Sequence, residues 1–498
     1  MMTNLPQFPW LSLLVLLPLA GALLCALHRQ RPVEARWLAL ATSLAVFGVS
    51  VWLFVCYGDG ASADAGGWLL REDAPWIERY GMRYLLQIDG ISLLLVMLTT
   101  FLQLVSLLLA WRVERNAASF FALLMLLECG LLGIFLAGDL ILFYLFWELA
   151  LVPIFFLIAF WGGANRRAAA LKFFLYTLAG SLCMLVAMIA LYQIHGDQSG
   201  SYSFVISDLM QTQLTAAQEG WLFAGFMAAF IIKAPLPPFH TWLIDAFSES
   251  PASGSLDLTG LLLKTGIYGM IRLAFPLFPN ATQAFMPLLA ALALFGLFYA
   301  AWCAYHEDDI KRLLAYSAVS HLGLVVLGLA AWQATAWEGS LLLMLGSGVT
   351  TGALFVLAAL IQQRTGTRSL SELGGLWGQT PNLGFFFLLF SLASLGLPGL
   401  ANFAGEILVL LGVFPQQPLW AVIAIVGVVF AAAYMLRLVQ GTLWGPVMVR
   451  REMLDLDLRE WLILTPLALL TLWLGLYPAS FLAPMQGAVA LLLTGGLP

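Results

Sequence analysis

Residues 231–240 read IIKAPLPPFH and lie inside an apolar run that begins near Phe226 and continues to Ile244. The run is long enough to cross a membrane as a helix, yet Lys233 stands in its middle, just before three prolines. A charge at the centre of a bilayer costs about 2.5–3.5 kcal/mol on insertion scales, and proline removes backbone hydrogen bonds from a helix. The stretch therefore predicts a broken helix that faces protein or water instead of lipid.

The composition is that of an integral membrane protein. Of the 498 residues, 62% are hydrophobic and only 10% are charged, whereas a soluble domain carries about 25% charged residues. The five cysteines and five histidines are scattered, which argues against a disulfide framework, an iron–sulfur or zinc site, and a haem. No glycine-rich phosphate loop follows a strand, so we expect no cofactor and no nucleic acid on this chain. The first apolar run, 10–27, lacks a basic leader and is expected to be a retained span.

Fourteen apolar runs predict an all-α polytopic membrane protein with about 14 transmembrane helices. The predicted spans are 9–27, 36–57, 91–111, 117–137, 140–160, 168–194, 218–244, 254–277, 282–304, 310–331, 337–362, 380–413, 417–442 and 459–490.

Basic residues orient these spans. Of 22 lysines and arginines, 14 fall in loops after odd-numbered spans, among them Arg450 and Arg451. Only Arg71, Arg79 and Arg83 fall in an even loop, the long acidic one between spans two and three. Because positive loops stay in the cytoplasm, the odd loops are predicted to be cytoplasmic and both termini extracytoplasmic.

Helix breakers at two matched places predict an internal repeat. Residues 233–240 interrupt the seventh span and residues 395–406 the twelfth, each the fourth helix of a five-helix unit. Paired interrupted helices are typical of inverted repeats in transporters. We therefore predict two inverted five-helix repeats, spans 4–8 and 9–13. The predicted units are 1–116 (helices 1–3 with the long extracytoplasmic loop), 117–277, 282–442, and 443–498 (helix 14).

Ionisable residues inside the spans indicate function, because such residues face protein or water. Glu148, in LFYLFWELALVPIFF, needs a counter-charge, and Lys233 is the natural partner from a neighbouring span. Pairing would keep both groups charged, and breaking the pair would favour their neutral forms, which moves a proton. A static buried ion pair is the alternative interpretation.

Further ionisable residues extend this pair into a candidate proton relay. Lys264, His321 and Glu406 follow in later spans. Glu128, Lys172 and His240 are weaker candidates; Lys172 lies near the cytoplasmic end of its span.

Three ionisable residues are expected to lie outside the relay. Asp139 is expected to be interfacial, and Arg272 and Arg437 to be interfacial or contact residues. The chain carries no nucleotide or redox site, so energy must come from an ion gradient or a partner.

Four long motifs resemble the antiporter-like subunits of respiratory complex I, the NADH:quinone oxidoreductase, and of Mrp-type sodium/proton antiporters. They are FWELALVPIFFLIAFWGG (146–163), KAPLPPFHTWLIDAFSESPASGSLDLTGLLLKTGIYGMIR (233–272), DDIKRLLAYSAVSHLGL (308–324) and SLGLPGLANFAGE (394–406). LLQIDGISLLLVMLTT (85–100) and the acid Glu406, where related subunits usually carry lysine, are similar to the NuoM type.

The resemblance implies roles for particular residues. Glu148 and Lys233 would be the family's ion pair, Lys264 the connecting lysine and Glu406 the terminal proton-exchange acid. It also implies FMN, iron–sulfur clusters and quinone in partner subunits, neighbouring membrane-arm subunits as partners, and the bacterial inner membrane as the location.

The chain departs from the family pattern at Ser347, where a histidine is usual. A hydroxyl orders water but carries no positive charge at neutral pH, so we hypothesise a water wire past Ser347, Thr350 and Thr351.

The residues leave several functions open. The alternatives are an Mrp-like sodium/proton antiporter subunit, a membrane subunit of a related hydrogenase or ferredoxin- or plastoquinone-linked complex, and a non-conducting scaffold.

Overall fold

The computed structural model describes residues 8–57, 67–448 and 453–495, and is almost entirely helical. Twelve helices within this part of the chain are long and apolar enough to cross a membrane, and two more spans are each built from two shorter helices. The predicted all-α polytopic fold is confirmed. Arg450 and Arg451, which the sequence assigns to a cytoplasmic loop, lie outside the described residues. So do residues 1–7 and 496–498 at the two ends of the chain and residues 58–66 in the long loop of the first predicted unit.

The spans are numbered in chain order from here on. Spans 1 to 6 are Trp10–Leu27, Pro32–Tyr57, Gly90–Leu109, Ala117–Leu136, Leu140–Trp161 and Arg166–Ser199. Span 7 is Ala216–Lys233 with Thr241–Glu249, span 8 is Ala252–Leu277, and spans 9 to 11 are Pro279–His306, Ile310–Ala330 and Ala334–Thr365. Span 12 is Pro381–Ser394 with Ala401–Val413, span 13 is Pro418–Leu443 and span 14 is Leu458–Leu476. One-turn helices Ile206–Leu209 and Leu376–Gln379 lie in loops.

The C-terminal region differs from the prediction of one span over 459–490. Span 14 ends at Leu476, and a separate helix runs from Ala479 to Leu493. Pro478 stands between them, and a proline has no N–H with which to continue the first helix.

A β-hairpin, which the sequence analysis missed, occupies the loop between spans 2 and 3. Its strands are Leu70–Ile77 and Met82–Ile88, paired antiparallel. Glu72 on the first strand accepts hydrogen bonds from the backbone of Leu11, at 2.6 Å, and Ser12, at 2.9 Å. The hairpin thus satisfies free N–H groups at the start of span 1, which have no partner inside the helix.

The break in span 7 keeps its backbone satisfied. Pro235 and Pro237 cannot donate to the carbonyls one turn earlier. Instead, the N–H of Leu236 donates to the carbonyl of Ile231 at 3.1 Å, and the indole of Trp242 donates to the carbonyl of Ile232 at 2.9 Å. The predicted break therefore forms, and it ends the first half of the span at Lys233.

Span 8 packs against this break and is itself irregular. Two π-helical turns, Leu258–Leu262 and Met270–Ala274, lie on either side of Lys264. A Cβ on Gly266 would stand 2.7 Å from the backbone nitrogen of Ala234, which requires glycine at this close approach. Single π-turns inside helices are often found at functional sites.

Spans 5 and 10 begin in the same way. Asp139 accepts from the backbone of Ile141 and Leu142, and Asp309 accepts from Lys311 and Arg312. Each aspartate also forms an isolated β-bridge. Asp139 pairs with Val205 in the loop after span 6, and Asp309 pairs with Ser369 in the loop after span 11. Spans 5 and 10, which these aspartates cap, are the second helices of the two predicted repeats.

Asp139, which the sequence predicts to be interfacial, caps the start of span 5, and its side chain is completely buried inside the protein. The backbone of Arg83, on the hairpin, also donates to it at 3.1 Å, and this third donor draws the carboxylate into the protein.

We expect Asp139→Ala to lower the stability of the protein by about 2–3 kcal/mol, because it removes a helix cap and leaves buried N–H groups without an acceptor. The melting temperature in detergent would measure this loss. Asp139→Asn, which keeps one acceptor oxygen, is the matched control and should lose less. Equal stability of the alanine variant and the native protein would contradict the role of the cap.

Candidate functional site

Glu148 and Lys233 lie close together but do not form a salt bridge in the part of the chain that the structure describes. The ammonium of Lys233 lies 4.6 Å from the centroid of the Trp147 ring, the residue before Glu148. The two charges still act on each other electrostatically. Lys233 is 1% exposed, Glu148 is half-buried, and Glu148 Oε1 has no hydrogen-bond partner among the described residues. The structure thus shows the predicted pair in an open arrangement.

Tyr144 is the polar neighbour of Glu148 on span 5. Its phenol interacts with the Glu148 carboxylate and with Ser181 of span 6. Tyr144 therefore stands between the Glu148 carboxylate and span 6.

Lys264 is buried on span 8, the span after the one that carries Lys233. Its ammonium turns back along span 8 and donates to the carbonyl of Thr259 at 2.7 Å. Span 11 passes close by, because a Cβ on Gly348 would lie 3.6 Å from Lys264 Cε. Ser347, next to this glycine, is buried and donates to the carbonyl of Met344 at 3.3 Å. The contact between spans 8 and 11 therefore joins the two predicted repeats at a lysine.

His321 and Glu406 meet in the second repeat. His321 Nδ1 lies 3.9 Å from Glu406 Oε1, and its Nε2 lies 3.1 Å from the hydroxyl of Ser394. Gly396, with φ of +81°, turns the chain beside Glu406, and a Cβ there would lie 2.2 Å from the carboxylate. Lys264 acts electrostatically on His321, so the structure brings Lys264, His321 and Glu406 into one neighbourhood.

The second half of span 7 carries a separate charged cluster. Lys172 is paired with Asp245 at 2.7 Å, and Arg312 reaches the other oxygen of Asp245 at 3.4 Å. His240 is buried at the break, edge-on to the ring of Tyr299, and lies within the electrostatic range of Lys172. Lys172 and His240 thus lie near each other.

Arg272 is a buried contact residue, in line with one of its two predicted roles. It is 5% exposed, forms a salt bridge with Asp89 at the start of span 3, and stacks over Trp68 and Tyr268. Arg437 makes the contact that was expected, donating to the backbone carbonyls of Tyr305 and Glu307.

Sequence reasoning missed three acids, Asp89, Asp245 and Asp257. Asp257 is completely buried on span 8 and accepts from Ser106. It acts electrostatically on Glu128, which is also completely buried and accepts from Ser43 at 2.9 Å. Asp257 stands in an apolar run, GSLDLTGLLL, so the signal that identified Glu148 was available for it too.

The arrangement suits the movement of small charges. Titratable groups follow one another from span 5 through spans 7, 8 and 10 to span 12. In the described ranges no group of three or more histidines, cysteines or acids could hold a metal ion. Hydroxyls of Tyr144, Ser394 and Ser347 lie beside the series and can order water between its members.

Known proteins resemble this chain over nearly its whole length. It is 42% identical to NADH-quinone oxidoreductase subunit M of Pseudomonas aeruginosa over 487 residues, 95% of each chain. A chain of respiratory complex I from Thermus thermophilus has the same fold, with a TM-score of 0.86, 34% identity, and coverage of 97% of this chain and 99% of that one. A chain of the Mrp complex from Dietzia is similar in fold, with a TM-score of 0.81 and 23% identity over 96% of this chain and 52% of that one.

The family model described as "NADH:quinone oxidoreductase/Mrp antiporter, TM" matches residues 137–431, which run from the cap of span 5 into span 13 and include both broken spans. The chain belongs to the NADH:quinone oxidoreductase/Mrp antiporter transmembrane family.

Proposed function

We propose that this chain is the proton-translocating subunit M of an NADH:quinone oxidoreductase, and that it moves protons through its buried acids, lysines and histidine. The proposal rests on one observation. This chain is similar to subunit M over 95% of its length, and a series of ionisable groups follows its spans from span 5 to span 12. The chain holds no redox group of its own in this proposal. FMN, iron–sulfur clusters and quinone would belong to partner subunits, and quinone reduction there would supply the energy.

The relay would begin at Glu148 and Lys233. In the open arrangement the Lys233 ammonium lies over the Trp147 ring, and it forms no salt bridge with a carboxylate of the described residues. Closing the pair would favour the charged lysine, and opening it would favour proton loss in a desolvated site. The broken backbone beside Lys233 would admit the water that takes the proton.

Lys264 would carry the proton into the second repeat. The amine sits where span 8 meets span 11, and it acts electrostatically on His321. His321 would pass the proton to Glu406, 3.9 Å away, and Glu406 would exchange it with water at the Gly396 turn. Glu128, Lys172 and His240 would contribute to proton access as secondary groups.

The predicted units remain part of the proposal: 1–116, 117–277, 282–442 and 443–498. The matched caps Asp139 and Asp309 support the two repeats. A second match supports them too, because Pro237 precedes Asp245 by as many residues as Pro398 precedes Glu406.

We propose that the protein lies in a bacterial inner membrane with both termini on the extracytoplasmic side. Its partners would be the other membrane-arm subunits, including neighbouring antiporter-like ones. The relatives that support this are subunits of multi-subunit complexes.

A sodium/proton antiporter subunit is the second candidate. The fold shared with the Mrp chain favours it, while the higher identity to subunit M and the acid Glu406 favour the first. Purifying the native complex and identifying its subunits tests the choice, because oxidoreductase subunits should copurify. A hydrogenase, or a ferredoxin- or plastoquinone-linked complex, would appear as a different set of partners.

Lys233→Arg should assemble but pump poorly, because arginine keeps the charge and cannot release its proton at a working pH. We expect about a tenfold loss in proton pumping by the reconstituted complex. Electron transfer from NADH to a water-soluble acceptor should stay normal and serves as the control. Normal pumping in Lys233→Arg would mean that Lys233 is only a structural counter-ion. If the chain is a non-conducting scaffold, Lys233→Ala should impair only the assembly of the complex.

Glu406→Gln should abolish most pumping, since the amide keeps the shape of the carboxyl group but cannot bind and release a proton. The measurement is the number of protons moved per electron pair in proteoliposomes. Glu338→Gln, at a half-buried acid near the start of span 11, is the matched control and should behave like the native protein. An unchanged ratio in Glu406→Gln would remove Glu406 from the relay.

Ser347→Ala should slow pumping if water passes Ser347, Thr350 and Thr351 in place of a histidine. Thr351 has a buried hydroxyl without a partner among the described residues, and Thr350 lies 3.2 Å from Asn402 Oδ1, so the track is polar enough to hold water. Pumping by the reconstituted variant measures the effect. Intact pumping would contradict the water-wire hypothesis.

A further inference from the structure

A second group of buried polar side chains lies between spans 2, 3, 4 and 8. Its acids are Glu128 and Asp257, both completely buried. Ser43 of span 2 donates to Glu128, and Ser106 of span 3 donates to Asp257. We call these four residues with Gln103 the carboxyl pocket.

The carboxyl pocket contains polar atoms that the described protein groups leave unpaired. Glu128 Oε1, Asp257 Oδ2 and Gln103 Oε1 are buried without a hydrogen-bond partner there. The Gln103 amide donates at 3.0 Å to the carbonyl of Leu124. In an α-helix that carbonyl also receives the N–H of Glu128, so the amide stands beside the glutamate.

The unpaired oxygens point to a bound proton and water. An unpaired buried carboxylate oxygen is costly, and two ionised carboxylates in one dry site repel each other. Asp257 and Cys129 are titratable neighbours of Glu128, and no lysine, arginine or histidine of the described residues forms an ion pair with it. A proton shared by the two carboxyl groups through water removes one charge and supplies the missing donor.

We propose that Glu128 and Asp257 form a proton-holding site that supplies Lys264. The inference rests on the proposed function, since it needs Lys264 to release protons onward. A proton from water binds one carboxylate of the pair. In the next step the O–H bond breaks, an N–H bond forms on the neutral Lys264 amine, and a carboxylate and an ammonium remain. No other reactant takes part.

The geometry of span 8 supports the transfer. Asp257 and Lys264 lie on the same helix, two turns and about 10 Å apart. The π-turn Leu258–Leu262 stands between them, and the Lys264 side chain turns back toward Asp257 to reach Thr259. Water would bridge the remaining gap.

Protons would enter this site where the end of span 3 meets the start of span 8. Ser106 lies near the end of span 3 and contacts Ser253 in the first turn of span 8. Arg112 follows at the same end of span 3, which places this entrance on the proposed cytoplasmic side.

The test compares Glu128→Gln, Asp257→Asn and Lys233→Ala in the reconstituted complex. Both amides keep an acceptor for their serine but cannot carry the proton. We expect each amide variant to assemble and its pumping rate to fall about tenfold. The loss should be smaller than the roughly hundredfold loss expected when a site has a single proton donor and that donor is removed. The pH profile of pumping should also change shape, which a merely structural acid would not cause. Glu338→Gln is the matched control.

The outcomes separate the two proposals. If both amide variants pump normally with an unchanged pH profile while Lys233→Ala does not pump, the proton-holding site is refuted and the proposed function stands. If Lys233→Ala also pumps normally, the proposed function itself fails. If an amide variant does not assemble, the infrared difference spectrum of the native complex is compared with that of Glu128→Asp, because a glutamate label alone would also report Glu148 and Glu406. A turnover-dependent carboxyl band that disappears or shifts in Glu128→Asp supports the site, and identical spectra overturn it.

Discussion

Hydrogen-bonding groups at membrane depth must find their partners inside the protein, and this constraint governs the structure around Lys233. Three prolines lack backbone donors there, and the N–H of Leu236 and the indole of Trp242 donate to the carbonyls of Ile231 and Ile232 instead. Span 8 then packs against the break through Gly266. The break is therefore a fixed part of the fold, and it holds a lysine in a buried position beside Trp147.

The buried charges fall into two kinds that differ in how they are paired. Arg272 is closed onto Asp89 and held between aromatic rings, so it joins span 8 to span 3 permanently. The ammonium of Lys233 lies over the ring of Trp147 and forms no salt bridge with the predicted partner, Glu148. His321 lies 3.9 Å from Glu406, which is longer than a hydrogen bond. Arginine stays protonated in proteins, whereas lysine and histidine can lose a proton. Closed pairs with arginine thus build the scaffold, and open pairs with lysine or histidine suit transfer.

Local patterns predicted most of the framework and missed what depends on distant partners. The positions of the spans and of both breaks follow from apolar length and from prolines and glycines, which act on their own neighbours. The hairpin over 70–88 was missed because its strands are stabilised by span 1 and span 5 residues through Glu72 and Asp139. The π-turns around Lys264 were missed because packing against spans 7 and 11 imposes them, and no residue pattern marks them.

The sequence by itself determined the membrane fold, the broken spans and most members of the proposed relay, because a charge in an apolar run needs no neighbour to be recognised. Only the tertiary structure decided which charges meet. It left Glu148 and Lys233 without a salt bridge, brought His321 to 3.9 Å from Glu406, closed Arg272 on Asp89 and placed the overlooked Asp257 near Glu128. The physical reason is that side-chain distances across spans depend on helix packing and rotation, which contacts between residues far apart in the chain set together.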